Sequence, residues 1–516
     1  MTTSDGKSMI PVQLERGETL LLLVAVFITS ICGLAYELLI GATGAFIAGD
    51  GVKQFAFTIG IFLSSMGLGS YLSRKVPSSQ ALQVFISSEL LIGLLGGISH
   101  PVLYLLYAYS SSFSVAFYAL LIIIGSLTGL EIPLVTRVLA KSSPLKLNIS
   151  NVLSLDYLGA LITTVMFPLI LLPTLGLWYT SVMFGLLNTI LAGIILFTFR
   201  RASWFRKIIP AFLITCFVLL VLAIGGREFM AAADNRIYAD EIIYSKQSSY
   251  QKIVLTRWQN DLRLFLNGNI QFSSLDEYRY HEALVHPAMS GVPSRERVLI
   301  LGGGDGLAAR EVFRYKDVKH VDLVDLDPEV VKLAKTNSHI SKLNENSLKD
   351  QRLHYHATDA WLFVRNLKDK YNIIIVDLPD PSSENLVKLY SRQFYEGLKH
   401  HLAADGAISV QATSPYFNKK SFWCIIKTMR GAGLKVSPFR AQVPSFGEWG
   451  FALGTKFNFD PGKVKLGVKT RYLSNEIMKY LSVFPKDLVE MDVTISTLDH
   501  PVILKYYLDD YGTYFK

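Results

Sequence analysis

Asp305, Asp325, Asp359, Asp377 and Asp380 each stand at the end of a short apolar run, in LGGGDG (301–306), VDLD (324–327), TDA (358–360) and DLPDP (377–381). Carboxylates gathered round one cleft repel one another, raise one another's pKa and call for a cationic ligand. A phosphate has the wrong sign for such a cleft; a polyamine or a sulfonium has the right one. The glycines of LGGGDG allow backbone to approach a nucleoside closely. Asp325, about 20 residues past the loop, stands where an acid usually accepts hydrogen bonds from ribose hydroxyls. Taken singly, an aspartate here is a helix cap or a turn residue, and Asp327, followed by Pro328, reads that way.

The elements that must position these acids alternate. RVLILG precedes LAAREVFRY, HVDLVDLD precedes PEVVKLAKT, RLHYHATD precedes AWLFVRNL, YNIIIVDL precedes SRQFYEGLKHHL, and GAISVQAT precedes SFWCIIKTMRGAG. Short β-branched runs alternating with helical segments predict a parallel, doubly wound sheet, in which ligands lie beyond the carboxyl ends of the strands. Before it, residues 246–272 hold three β-type runs separated by polar turns, a small antiparallel sheet, followed by the helix DEYRYHEALVHPAM. His354 and His356 form an HxH pair on a strand with no other metal ligand near them in sequence, so no metal site is assigned. The last 55 residues or so carry no chemical signal.

With these motifs in view, residues 245–455 or so resemble the spermidine synthases, the polyamine aminopropyltransferases. The resemblance rests on YQ (250–251), LNGNIQ with DE and YHE (266–282), LGGGDG, VDLD, TDA, DLPDP, VQATSP (410–415) and VPSFGEWGFAL (443–453). It implies transfer of an aminopropyl group from decarboxylated S-adenosylmethionine to putrescine or another polyamine, with release of 5′-methylthioadenosine. The decarboxylated donor is a co-substrate; no cofactor and no metal are implied. On the same footing, Gln251, Gly302, Gly304, Asp305, Asp325, Asp359 and Ala360 would contact the donor. Asp305 would grip the aminopropyl ammonium, Asp325 the ribose, and Asp359 with Ala360 the adenine. Tyr280, His281, Asp305, Asp377 and Asp380 would line the amine channel, with Asp377 as general base. Gln271, Gln411, Phe446 and Trp449 belong to the matching motifs beside the site. Leu378 and Pro379 between the two acids, Phe446 in place of a tyrosine, and Asp325 in place of a glutamate depart from the family pattern, mostly at the acceptor end.

The other half of the chain has a different composition. Half of all residues are hydrophobic and mean hydropathy is +0.33, with the excess concentrated in 19–225. Seven stretches there, at 19–40, 54–72, 82–107, 113–138, 152–172, 177–199 and 207–225, are long enough to span a bilayer. The net charge of +9 sits largely in alternate short loops, with Arg74 and Lys75 in one, Arg137, Lys141 and Lys146 in another, and Arg200, Arg201, Arg206 and Lys207 in a third. That pattern describes membrane orientation rather than nucleic-acid binding. It puts the N-terminus and these loops in the cytoplasm and, after seven spans, the C-terminal half outside. A cytoplasmic donor would put that half inside instead. Glu37, Glu89, Glu131 and Asp156 fall within or at the ends of the spans. Cys32, Cys216 and Cys424 are scattered and suit packing.

The expected architecture is therefore an N-terminal all-α multi-pass membrane region and a C-terminal α/β Rossmann-like domain of the class I methyltransferase type, preceded by a small antiparallel sheet. The boundaries are 1–226 for the membrane part, 227–245 for a linker, 246–290 for the small sheet and 291–516 for the catalytic domain. Expected partners are the two small-molecule substrates and the lipid bilayer, with no nucleic acid; a homo-oligomer is what the resemblance implies. Two other functions compete. A methyltransferase on the same fold would bring the carboxylate of intact S-adenosylmethionine against Asp305. A polyamine transporter or sensor would use the Rossmann-like domain only to bind.

Overall fold

The structure, a computed structural model, describes residues 14–48, 51–110, 112–140 and 145–514. The chain divides into two compact units, Met1–Ala239 and Asp240–Lys516.

The first unit is helical: α1 (Arg16–Ala48), α2 (Gly51–Leu72), α3 (Ala81–Tyr109), α4 (Phe113–Leu139), α5 (Leu145–Met166), α6 (Leu172–Thr198) and α7 (Phe205–Ile237). Lys141 lies outside the described residues. Six stretches are long and apolar enough to cross a membrane, and one of them, Asn148–Thr198, has 51 residues. A straight helix of that length would measure roughly 76 Å, more than twice a bilayer's hydrocarbon thickness. It is not straight. A π-helical turn at Phe167–Leu171 contains Pro168, and Gly176 breaks the helix at φ 69° and ψ 179°.

The contacts of α1 show that the chain doubles back there. The Thr163 hydroxyl donates to the Ile31 carbonyl at 3.1 Å, while the Cys32 thiol reaches the Phe184 carbonyl at 3.9 Å. Twenty-one residues of continuous helix would hold those two partners roughly 31 Å apart. The long stretch is therefore two helices, each packed against α1. Glycines at the crossings let helices touch: a Cβ on Gly129 would lie 2.1 Å from the Met66 carbonyl oxygen.

The expected linker at 227–245 is not a linker. Residues 227–237, REFMAAADNRI, are mostly good helix formers without proline or glycine, and they extend α7 to Ile237. The first strand begins four residues later.

The second unit opens with a four-stranded antiparallel sheet, β1 (Glu241–Gln247), β2 (Lys252–Trp258), β3 (Asp261–Leu266) and β4 (Asn269–Ser273), in that order. Helix α8 (Glu277–Gly291) follows. A seven-stranded sheet is built from β5 (Arg297–Gly302), β6 (His320–Asp325), β7 (Leu353–Ala357), β8 (Tyr371–Asp377), β9 (Leu402–Gln411), β10 (Lys435–Val443) and β11 (Gly447–Thr455). Its order is β10-β11-β9-β8-β5-β6-β7. All neighbours from β9 to β7 are parallel, but β11 runs antiparallel to both β9 and β10. The sheet is thus mixed, not wholly parallel, because the short turn between β10 and β11 forces a hairpin. The helices are α9 (Leu307–Val312), α10 (Pro328–Thr336), α11 (Ser338–Leu343), α12 (Ala360–Asn366), α13 (Glu384–Val387), α14 (Arg392–His401), α15 (Lys419–Gly431), α16 (Asn475–Leu481) and α17 (Val502–Tyr514).

Chain order reverses at β5, whose neighbours are β6 and β8, so a cleft opens beyond its carboxyl end. Helix α8 faces that cleft and is tied to the C-terminal segment. The buried Glu282 carboxylate accepts from the backbone N–H groups of Arg471, Tyr472 and Leu473 at 2.6, 2.9 and 3.0 Å. Replacing Glu282 with alanine leaves three N–H groups without that acceptor. We expect Glu282→Ala to destabilise the second unit by about 3 kcal/mol, seen as a lower thermal midpoint and faster proteolysis near residue 471.

Candidate active site

The carboxyl ends of adjacent strands bring the predicted acids together. Gly302, the last residue of β5, pairs with Asp377, the last of β8. A Cβ on Gly302 would fall 1.9 Å from the Asp377 carbonyl oxygen, and its φ of 83° also favours glycine. Two residues on, the Gly304 N–H donates to Asp325 Oδ2 at 3.0 Å. The other oxygen of Asp325 accepts from the Asp327 N–H at 3.0 Å. The Asp305 side chain turns back to accept from the Leu307 N–H at 2.9 Å.

Asp325, Asp377 and Asp380 share this end of the sheet with Asp305, and none of the four makes an ion pair with lysine or arginine among the described residues. Burial pushes all four carboxyls upward, Asp325 and Asp380 to about 6. The charge of Asp377 adds to the effect at Asp305. Such a site favours a ligand that brings positive charge.

Helix α8 supplies the counterweight. Glu277, Tyr280 and His281 are three and four residues apart and so share a face. The Tyr280 hydroxyl donates to Asp377 Oδ1 at 2.6 Å. His281 Nδ1 lies 2.8 Å from Glu277 Oε2. Burial alone would lower the His281 pKa, but that bond and the charges of Glu277, Asp305 and Asp377 outweigh it and raise it to about 9. At neutral pH His281 is a cation beside two of the aspartates.

Glu277 is itself clamped by Arg310 of α9 through two 2.8 Å bonds. Arg310 also holds Glu311 at 2.8 Å, and Glu311 meets His286 at 3.0 Å. Despite its burial, the His286 bond and the Arg310 charge keep Glu311 ionised, with a pKa of about 2. A buried chain of alternating charges thus joins α8 to the helix that follows LGGGDG.

Around Asp380, Gln411 Nε2 donates to the Leu378 carbonyl and, at 3.3 Å, to Asp380 Oδ1. The Thr413 and Tyr507 hydroxyls donate to Asp380 Oδ2 at 3.2 and 3.3 Å. Thr413 has φ 58°, a strained setting for a β-branched residue and one found at functional sites. Tyr280 contacts an aromatic wall of Phe446, Trp449 and Phe451, with ring centroids 6.0, 6.4 and 5.4 Å away. Asp276 places that wall by accepting from the Ser445 N–H and hydroxyl at 2.6 and 2.8 Å.

Other predicted residues stand differently. Gln251 donates to Asp327 Oδ2 at 3.0 Å, so Asp327 caps α10 and also orients Gln251. Asp359 caps α12 through Leu362 and pairs with Lys388 at 2.8 Å, with Ala360 as the first helical residue. Gln271 donates only to Asn269 of its own hairpin, at 3.2 Å, and does not join the network. Tyr507 was invisible in sequence because it lies 127 residues beyond Asp380. The expectation that HxH lacks neighbouring ligands is also corrected. Strand register sets His354 opposite Asp322, where one atom each of His320, Asp322 and His354 lie within 4.8 Å of one another. Asp322 is already satisfied by His320, His356 and Tyr371.

A family model described as the spermine/spermidine synthase domain matches residues 277–459. Polyamine aminopropyltransferase 1 of Ralstonia nicotianae is 41% identical over 98% of this chain and 98% of its own length. The polyamine aminopropyltransferase of Leptospira interrogans is 40% identical over 94% of this chain and 97% of its own. A solved spermidine synthase in complex with the transition state analogue AdoDATO is 25% identical, covers 48% of this chain and 87% of its own, and superposes with a TM-score of 0.45.

Two outcomes follow from the electrostatics. Asp380 protonates as pH falls through about 6, and a cation favours its ionised form, so binding of a short alkyl diamine weakens below that pH. Calorimetric titration should show the affinity falling toward about tenfold per pH unit for each carboxyl that must ionise. The Tyr280 hydroxyl favours ionised Asp377, so Tyr280→Phe raises the Asp377 pKa. The acid limb of the pH–rate profile then moves to higher pH.

Proposed function

This chain belongs to the polyamine aminopropyltransferase family, and we propose that the aspartates at its strand ends divide the work of the reaction. The enzyme transfers the aminopropyl group of decarboxylated S-adenosylmethionine to putrescine or another polyamine, giving spermidine from putrescine, together with 5′-methylthioadenosine. A nitrogen lone pair of the acceptor attacks the aminopropyl carbon attached to sulfur. The C–S bond breaks, and its electron pair neutralises the sulfonium.

A sulfonium is already a good leaving group, so alignment matters more than electrophilic help. The acceptor amine is protonated at neutral pH, its pKa lying near 10 as for any alkyl ammonium. Asp377 receives that proton as general base, oriented by Tyr280. His281, cationic through Glu277, favours the ionised form of Asp377 against the upward push of desolvation. Asp305 holds the donor's terminal ammonium. Asp325 accepts from the ribose hydroxyls, since each of its oxygens spends one lone pair on backbone and keeps another. Gln251 contacts the donor from its place on Asp327, and Asp359 with Ala360 takes the adenine. Asp380 holds the acceptor amine, with Gln411, Thr413 and Tyr507 around it. Phe446 and Trp449 line the channel walls.

The observation that carries this assignment is the four half-buried aspartates without a lysine or arginine partner among the described residues. A methyltransferase would bring the carboxylate of intact S-adenosylmethionine into that field. Purified protein given putrescine and decarboxylated donor should release methylthioadenosine and spermidine in equal amounts. Asp377→Asn should slow this by roughly 10²–10⁴-fold. Methylated product from the intact donor, or an unchanged rate in Asp377→Asn, contradicts the assignment.

We also place the helical unit in a bilayer. Its outward faces carry large apolar side chains, with Ile224 82%, Leu169 71% and Phe217 69% exposed, which water would not tolerate in such density. The hairpin at Gly176 makes seven crossings, and with the Arg and Lys loops this favours a catalytic unit outside the cytoplasm. The cytoplasmic origin of the donor favours the inside, which is the side we propose. A reporter fused after Lys516 that is active only in the cytoplasm decides between them; activity of a reporter that needs export overturns our placement.

A further inference from the structure

The helical unit holds a second set of buried acids with no role in aminopropyl transfer. Glu89 of α3 and Glu131 of α4 are 0% and 6% exposed and lie within hydrogen-bonding reach of each other. Neither makes an ion pair among the described residues. One oxygen of each, Oε1, has no hydrogen-bond partner among the described residues.

The side chains around them sharpen this deficit. Asn188 of α6 donates through Nδ2 to Glu89 Oε2 at 2.9 Å and to the Glu89 carbonyl at 2.8 Å, which puts its amide head at the carboxylate. Its Oδ1 has no partner, although Asn188 is fully buried. Tyr36 of α1, also fully buried, keeps an unpartnered hydroxyl within the electrostatic reach of both glutamates. Thr128, one turn before Glu131 on α4, has an unpartnered hydroxyl too. Three of these five oxygens are acceptors only, so they cannot satisfy one another.

Every titratable neighbour that bears on the pair is acidic: Cys32 and Tyr36 from α1 and Asp156 from α5. Helix α6 contributes the neutral Asn188. Two carboxylates buried without a counter-charge are untenable, because an isolated buried ion costs several kcal/mol even after relaxation. Something positive must sit between them. The space is closely packed, since a Cβ on Gly96 would lie 2.3 Å from the Tyr36 ring, so the cation is small. The donors are all oxygen, which suits a proton or a hard metal ion rather than a soft one.

We propose that Glu89 and Glu131, with Asn188 Oδ1 and the Tyr36 hydroxyl, form a binding site for one small cation, either an exchangeable proton or a hard metal ion, in the core of the helical unit. The full chain in detergent is the material for the test. Infrared difference spectra across a pH step report protonation through the carboxyl C=O stretch, and equilibrium dialysis with radiolabelled sodium or calcium reports a metal. The proposal expects that the wild-type spectrum minus that of Glu89→Gln or Glu131→Gln leaves a titrating carboxyl band, over the unchanged bands of the aspartates of the second unit, or that about one metal ion bound per wild-type chain is lost in both variants. A wild-type-minus-variant spectrum without a titrating carboxyl band, in a chain that binds no metal or whose bound metal survives both substitutions, overturns it. Glutamine keeps the shape, and undiminished methylthioadenosine release confirms that the variants fold.

Discussion

Four aspartates crowded at the carboxyl ends of three neighbouring strands are an electrostatic problem before they are a catalyst. Each is half-buried, and each has its pKa raised by desolvation. The rest of the second unit can be understood as what keeps them together. Backbone N–H groups do part of it: Asp305 and Asp325 are held by Leu307, Gly304 and Asp327. His281, kept charged by Glu277, offsets Asp305 and Asp377, while Gln411, Thr413 and Tyr507 hydrogen-bond Asp380. A ligand that brings positive charge would complete the balance, as the proposed assignment to an ammonium and a sulfonium requires.

Helix α8 is the hinge of this arrangement in a structural sense. Five consecutive or nearly consecutive residues reach different parts of the fold. Asp276 fixes the loop that presents Phe446, Glu277 grips Arg310, Tyr280 bonds Asp377, His281 faces the acids, and Glu282 anchors the chain at 471–473. Isolated buried ion pairs add little to stability, but a misplaced one is costly to break, so such a network specifies position more than it adds strength. Positional accuracy is what a displacement reaction requires.

Much of the site was legible because its residues lie in contiguous motifs at strand ends, where backbone geometry dictates direction. LGGGDG, VDLD and DLPDP converge for that reason alone. What stayed hidden depends on tertiary pairing. Tyr507 reaches Asp380 from a segment without any motif. Asp327 looks like a cap and is one, but its second oxygen also holds Gln251. The antiparallel β11 between β9 and β10, and the His320–Asp322–His354 cluster, follow from strand order and register, which local patterning does not encode. In the helical unit, apolar length marks the spans, including the break between 152–172 and 177–199, and what Thr163 and Phe184 touch on α1 agrees with a reversal there.

The central claim is that the field of Asp305 and its neighbours chooses the donor by charge. Equilibrium binding of decarboxylated and intact S-adenosylmethionine to the same purified protein tests it most directly, with Asp305→Asn as the comparison. The account predicts that the decarboxylated donor binds on the order of 100-fold more tightly to the wild type and that this preference largely disappears in Asp305→Asn. Equal affinities in the wild type, or a preference that Asp305→Asn leaves intact, would contradict it.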